Sequence, residues 1–257
     1  MIVRLATQAD LPAMTDVLIG ASPLDPVYPY RFPDRHLYPD EFAALCQRKC
    51  AEYLETSTVV VCEMPVNAYT STTKVVAFSA WDMPTVAQPP PPRRRSAVEP
   101  TSPTSPTFPT APTTIGNLTR QSAFRAALAE HKASLFDARY RPDGGHVFLK
   151  ILLCHPSFQR RGAGTALAEW GVEQAQRFGV YTTVFASPMG LRLYQRLGFR
   201  EVGRFRVQLE GEGEFLEIPA LALGPGLGAG MREARGEGLG ACGRRVSEGF
   251  GWREVCA

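Results

Sequence analysis

The chain has 257 residues, a formal net charge of +3, 44% apolar residues and 21% charged residues. That balance describes a soluble globular protein with enough apolar side chains for a real core, in one large domain or two small ones. The small net charge gives no basic field for nucleic acid, and no apolar run approaches the roughly 18 residues of a membrane span. The start, MIVRLATQAD, lacks a signal-peptide pattern, so the expected location is cytoplasmic, with the nucleus as the alternative.

In chain order, IVRLA (2–6) alternates and predicts a strand. TQADLPAMTDVLIG follows as a helix, with Asp10 as N-cap and Leu11, Met14, Val17 and Leu18 on one face. The stretch 22–40 is rich in proline and aromatics and reads as an irregular loop. EFAALCQRKCAEYLE (41–55) predicts a helix that turns Phe42, Leu45, Cys46, Cys50, Tyr53 and Leu54 inward. TVVVCEM (58–64) and TKVVAFSAWDM (73–83) read as a hairpin around a polar turn.

The pattern then breaks. Residues 84–118 read as a Pro/Ser/Thr-rich insert, expected to be disordered or extended because proline removes backbone donors and little apolar surface offsets ordering. Its PPPPRRR run fits either an SH3-type ligand or a plain surface loop, and RRR without interleaved aromatics is a weak nucleic-acid signal. Helical periodicity resumes over 119–139 with Phe124, Leu128, His131 and Leu135 on a stripe, His131 reading as a boundary residue. GHVFLKILLC (145–154) is apolar nearly throughout, as expected for a strand covered on both faces. A helix from Gly162 to Phe178 closes on Gly179, VYTTVFA (180–186) is a strand, and SPMGLRLYQRLGF opens a helix with Ser187 as N-cap and Pro188 at its first position. Residues 200–218 close as a hairpin, and the Gly-rich tail at 222–257 is expected to be poorly ordered. The six cysteines form no CxxC pair and read as small core residues, so no metal site is expected.

The stretch HPSFQRRGAGTALAEW (155–170) lies between a strand and a helix. A helix N-terminus offers unpaired N–H groups and the positive end of the macrodipole. Gly162 and Gly164 leave the backbone open to an anion, and Arg160 and Arg161 add charge. The combination asks for a phosphate or pyrophosphate. It lacks the Gly-Lys-Ser/Thr of a P-loop, and Leu167 stands where a dinucleotide fingerprint needs its third glycine.

QRRGAG (159–164) resembles the Q/R-x-x-G-x-G/A motif of the GNAT superfamily of acyl-CoA-dependent N-acyltransferases, and LYQRLGF (193–199) resembles its L-Y-x-x-x-G-F signature. VRLATQADLPAM resembles the family's opening strand and helix more weakly. The resemblance implies an α/β GNAT fold over 1–221: a mixed, mostly antiparallel sheet of six or seven strands, helices on both faces, and a splay between the fourth and fifth strands where acyl-CoA enters. Carried onto this chain, it puts the pantetheine arm of acetyl-CoA on the backbone of Leu152, Leu153 and Cys154. The CoA pyrophosphate falls on Gln159, Arg160, Arg161, Gly162, Ala163, Gly164 and Thr165. Ser187 stands where many relatives contact CoA through Asn, Leu191 lines the thiol end, and Tyr194 matches the family's tyrosine acid.

The resemblance thus implies acetyl transfer to a primary amine by direct attack, with a small-molecule acceptor favoured over a protein. The general base is not identified: Lys150, His155, Glu63, Asp82 and His146 are titratable, but the 146–154 strand carries no acid. A non-catalytic CoA-binding or scaffold protein on the same fold is the alternative. Tyr28, Tyr30, Phe32, His36 and Tyr38 lie where relatives build the acceptor pocket, and read either as a lining for a flat, apolar amine or as core.

Overall fold

Runs of β-branched residues separated by helices with one apolar face can bury themselves only as a sheet covered on both sides. The computed structural model describes residues 1–66, 72–84 and 115–226. In it, seven strands form one sheet: β1 (Ile2–Leu5), β2 (Thr58–Pro65), β3 (Thr73–Asp82), β4 (His146–Cys154), β5 (Tyr181–Phe185), β6 (Arg200–Val207) and β7 (Leu216–Leu223). Their spatial order is β1-β2-β3-β4-β5-β7-β6, with β4–β5 the parallel pair and the other pairs antiparallel. The expected mixed, mostly antiparallel sheet is therefore present.

Two helices, α1 (Leu11–Ala21) and α3 (Pro39–Thr56), cover one face. There Met14, Val17, Leu18, Phe42, Cys46 and Cys50 meet Val59, Val61, Phe78 and Ala80 of β2 and β3. Alternate residues of the same strands, Val60, Cys62 and Trp81, face the opposite side and pack with Leu167 and Ala168. Both belong to α6 (Ala163–Phe178). Two covered faces explain why VVVC reads as one unbroken apolar run. The four described cysteines are free thiols, three of them buried, as the core reading expects.

Three elements differ from expectation. The 22–40 loop contains a 3-10 turn (Ser22–Leu24) and a short helix, α2 (Val27–Arg31). Proline at a first helical turn has its φ preset and its missing donor unneeded, so Pro23 sits within the 3-10 turn without preventing it, and Pro26 stands at the N-cap of α2 with helical φ. Within it, Tyr30 and Phe32 are buried in cores. The second difference follows α4 (Leu118–His131): a π-helical stretch (Lys132–Asp137) leads into α5 (Ala138–Tyr140). The wider π turn inserts one residue, so Phe136 rather than Leu135 is the fully buried member of the stripe. His131 stacks on Phe205 at 4.1 Å, the boundary role expected of it. Third, Ser187 occupies the N-cap of α7 (Pro188–Arg196) without using its side chain as a cap.

The expected disordered insert lies mostly outside the described residues, as does most of the expected tail. Of the insert's final residues, Ile115 is fully buried and Asn117 caps α4 by accepting from the Arg120 amide at 2.9 Å. At the other boundary, β7 carries the sheet through Ala222 and Leu223. Among the described residues, no helix is long and apolar enough to cross a membrane.

One close contact seats α6. A Cβ on Gly171 would overlap the indole of Trp81, which is fully buried and donates to Ser79 Oγ at 2.8 Å. Gly171→Ala is expected to lower stability by about 1–3 kcal/mol through overpacking, read as a shift in the urea midpoint; an unchanged midpoint would mean the indole can move aside.

Candidate active site

The register of β4 opens the site. Its pairing with β5 runs only from His146↔Tyr181 to Leu149↔Val184. Pairing with β3 skips Lys150, so a bulge falls where the two strands part. A bulge bends its strand and increases local twist, which carries the end of β4 away from β5. Beyond it, Ile151 to Cys154 pair with β3 alone.

The hydrogen-bond phase then decides which amides are open. The His155 amide donates to Val76 O at 2.8 Å, and Leu153 lies opposite Phe78 two residues earlier. Antiparallel pairs alternate, so Ile151 and Leu153 turn their backbone groups to β3, and Leu152 and Cys154 turn theirs to the splay. Of the three backbone positions expected to line the arm, two face the opening and Leu153 is committed to β3. The Cys154 carbonyl also accepts from Gln159 Nε2 at 3.3 Å, which ties β4 to the following loop. Burial raises the Cys154 thiol pKa to about 11, so it is no thiolate nucleophile.

That loop enters α6 through two left-handed residues, Arg160 (φ 63) and Gly162 (φ 93). Gly162 is the N-cap, and a Cβ there would meet nothing within 4 Å, so its surroundings are open. The first-turn amides of Ala163, Gly164 and Thr165 have no intrahelical acceptor. Arg160 and Arg161 are exposed, Arg161 lying over the Phe158 ring at 5.0 Å. Gly164 sits 3.5 Å from both Leu152 and Leu193, measured from its Cβ position, so the cradle abuts the strand edge and α7. A diphosphate at the α6 N-terminus with an extended arm along Leu152 and Cys154 fits this shape and charge.

Tyr194 projects from α7 and is 5% exposed. Gly190 makes room for it: a Cβ there would stand 2.8 Å from ring Cε2 and 3.4 Å from the phenol oxygen. Burial, with the negative charge of Asp25 nearby, holds the phenol well above its usual pKa, so it remains protonated. Leu191 is half-buried against the α6-side core.

The acids and bases expected as candidates are engaged elsewhere. Glu63 bonds Arg4 at 2.7 Å and Thr73 at 2.7 Å. Lys150 pairs with Asp82 at 3.0 Å. His146 lies between Thr183 Oγ1 at 2.6 Å and Asp137 at 2.8 Å, and with Asp82 it lines a cavity of about 520 Å³ at the end of β4 away from the splay. The Nδ1 of His155 accepts from the Ser157 amide at 3.3 Å, a loop-capping role.

Sequence reasoning missed Asp25. It precedes α2, accepts from the Val27 amide at 3.1 Å, and its carboxyl interacts with the Ser187 side chain and with Tyr194. Burial raises its pKa against the opposing pull of the Val27 amide, Ser187 and Arg31. A carboxyl shifted upward, whose charge reaches a protonated phenol, can take a proton while the phenol gives one. An Asp-Pro pair in a Pro-rich stretch signals only a turn.

Comparison with known proteins agrees with this geometry. The model of the acetyltransferase (GNAT) family matches residues 130–199, which span β4, the α6 cradle and α7. An acetyltransferase from Stachybotrys chartarum is 26% identical over 215 residues, covering 81% of this chain and 84% of its own length. Residues 130–199 thus match the GNAT acetyltransferase family, and the relative matched over most of the chain supports the same superfamily. Two solved structures share the fold. A mosquito arylalkylamine N-acetyltransferase-like protein has a TM-score of 0.53 at 16% identity, over 86% of this chain and 98% of that one. A Corynebacterium glutamicum protein described as histone acetyltransferase HPA2 and related acetyltransferase has a TM-score of 0.52 at 20% identity, over 86% and 94%. GNAT acetyltransferases act on small-molecule or protein acceptors, and acyl transfer is the chemistry this match supports. Among the described residues, no three His, Cys, Asp or Glu side chains cluster to hold a metal.

Proposed function

We propose that the protein transfers the acetyl group of acetyl-CoA to a primary amine of a small molecule by direct attack. The observation that carries this reading is the open edge of β4 beside the α6 cradle, with α7 and its buried Tyr194 packed next to it; Asp25 is the carboxyl whose charge reaches that phenol. The amides of Gln159 to Thr165 and the two arginines would hold the diphosphate, and Leu152 and Cys154 would pair with the arm. Asp25 would accept a proton from the attacking ammonium or amine. The new C–N bond forms at the carbonyl as the C–S bond breaks, and the Tyr194 phenol donates to the departing thiolate. Ser187 would orient the Asp25 carboxyl rather than cap its own helix. A free-standing acid and base argue against a purely structural CoA-binding protein, which needs neither.

The test is thiol release from acetyl-CoA across an amine library, with mass spectrometry of the products. Within that assay Tyr194→Phe is expected to lower kcat about 10- to 100-fold with little change in CoA affinity. Equal turnover would remove Tyr194 as the acid, and no release with any amine would overturn the transfer reading.

A further inference from the structure

Three shielded polar atoms among the described residues have no hydrogen-bond partner: Tyr30 Oη, Arg31 Nε and Gln121 Nε2. All three belong to α2 and to the first turns of α4 that face it. Native interiors leave few such atoms, and each asks for an explanation. Arg31 asks most strongly, because a half-buried guanidinium with a shielded, unbonded Nε and no ion pair is a costly arrangement in a fold. Its guanidinium lies between the rings of Phe32 at 4.9 Å and Phe124 at 4.7 Å, and among the described residues it makes no ion pair. Two aromatic faces hold the plane of the group but leave its N–H edge unanswered.

The charges around Arg31 do not balance. From the neighbouring elements it faces Asp25 before α2, Tyr28 on α2, Tyr53 on α3 and Arg125 on α4. That is two guanidiniums against one carboxylate, and in the reading above Asp25 is neutralised each time it takes a proton. Desolvation pulls the Arg31 pKa downward, as expected for a cation short of anionic partners. Gln121, one turn before Phe124, adds a second shielded donor with no acceptor. Two donors and surplus positive charge call for an anionic acceptor of hydrogen bonds, and a carboxylate matches a guanidinium edge.

We infer that Arg31 anchors a carboxylate on the acceptor, which makes the acceptor an amino acid or a similar short amine bearing a carboxylate. This rests on the transfer reading above. Arg31 and Asp25 flank the same short helix, so a carboxylate held at Arg31 places the amine of such a molecule toward the base. Tyr28 stacks on Phe32, and Tyr53 packs in the same apolar cluster.

The experiment compares matched pairs, each an amino acid and its decarboxylated amine: phenylalanine with phenethylamine, and lysine with cadaverine. Thiol release is measured for the wild type, Arg31→Met and Arg31→Lys. The carboxylated members should have the lower KM. Arg31→Met should raise that KM about 10- to 100-fold, while the decarboxylated members share only the upward shift of the Asp25 pH limb that both substrates show, and Arg31→Lys should recover part of the KM loss. Met also keeps the fold, since replacing an unpaired shielded charge by an apolar chain is neutral or stabilising; an unchanged or raised Tm checks this. Equal turnover of both members, or an equal effect of Arg31→Met on the KM of both, overturns the role of Arg31 while acetyl transfer stands. Absence of release with every member, when the wider amine library does release thiol, overturns the amino-acid acceptor; absence across that library as well overturns acetyl transfer itself.

Discussion

Replacing Asp25 by Asn should cut turnover by about 100-fold or more at neutral pH while leaving the protein as stable as before, or more so. The first half follows from losing a positioned general base. The second follows from linkage. Burial raises the Asp25 pKa in the folded protein above its unfolded value, so the folded state binds the proton more tightly. Ionised Asp25 therefore weighs against folding, and its contribution to stability falls as pH climbs from the ordinary carboxylate range through the raised folded value. Asn carries no such penalty. The gain in Tm for Asp25→Asn should be largest above that window and vanish below it. In the active protein, kcat/KM should rise with pH through the same raised value, and the variant should lose that limb. A variant that is less stable at neutral pH, or one that keeps the limb, would remove Asp25 from the role of base.

Gly162→Glu should weaken CoA binding by more than about 100-fold without unfolding the protein. The side chain would enter space in which no protein atom comes within 4 Å of its Cβ, so the fold has nothing to lose there beyond the strain of a left-handed residue. That strain is about 1–2 kcal/mol. A carboxylate at the positive end of α6 would compete for the amides and repel a diphosphate. Gly211 supplies the control: its φ is 81° and its Cβ position is likewise open. Gly211→Glu carries the same strain away from the cradle, so equal stability of the two variants and loss of CoA affinity only in Gly162→Glu, by calorimetry, would establish the ligand as the cause. Unchanged CoA affinity in Gly162→Glu would sink the cradle.

The local chemistry of the chain was enough to propose a diphosphate cradle, because every part of it is contiguous. The strand, the arginines, the two glycines and the helix follow one another from His146 to Phe178, and helix-terminus physics acts over a single turn. The same locality made Tyr194 readable within LYQRLGF and made the buried strands readable as unbroken apolar runs. Gly171 and Gly190 had no such signal: each is a glycine because a ring from another residue occupies the space of its side chain.

Tertiary packing alone brings the proposed acid–base pair together. Asp25 lies near one end of the chain and Ser187 and Tyr194 near the other, and a lone Asp beside Pro carries no mark of its eventual burial. A raised pKa is a property of surroundings, and the surroundings exist only once α2, α3 and α7 have closed over the sheet. The bulge at Lys150 is of the same kind: period-two patterning shows that HVFLKILLC is a strand, while the point where it leaves β5 depends on the register of both neighbours. What Arg31 answers to is likewise hidden in one dimension, since a charge is unpaired only relative to everything folded around it.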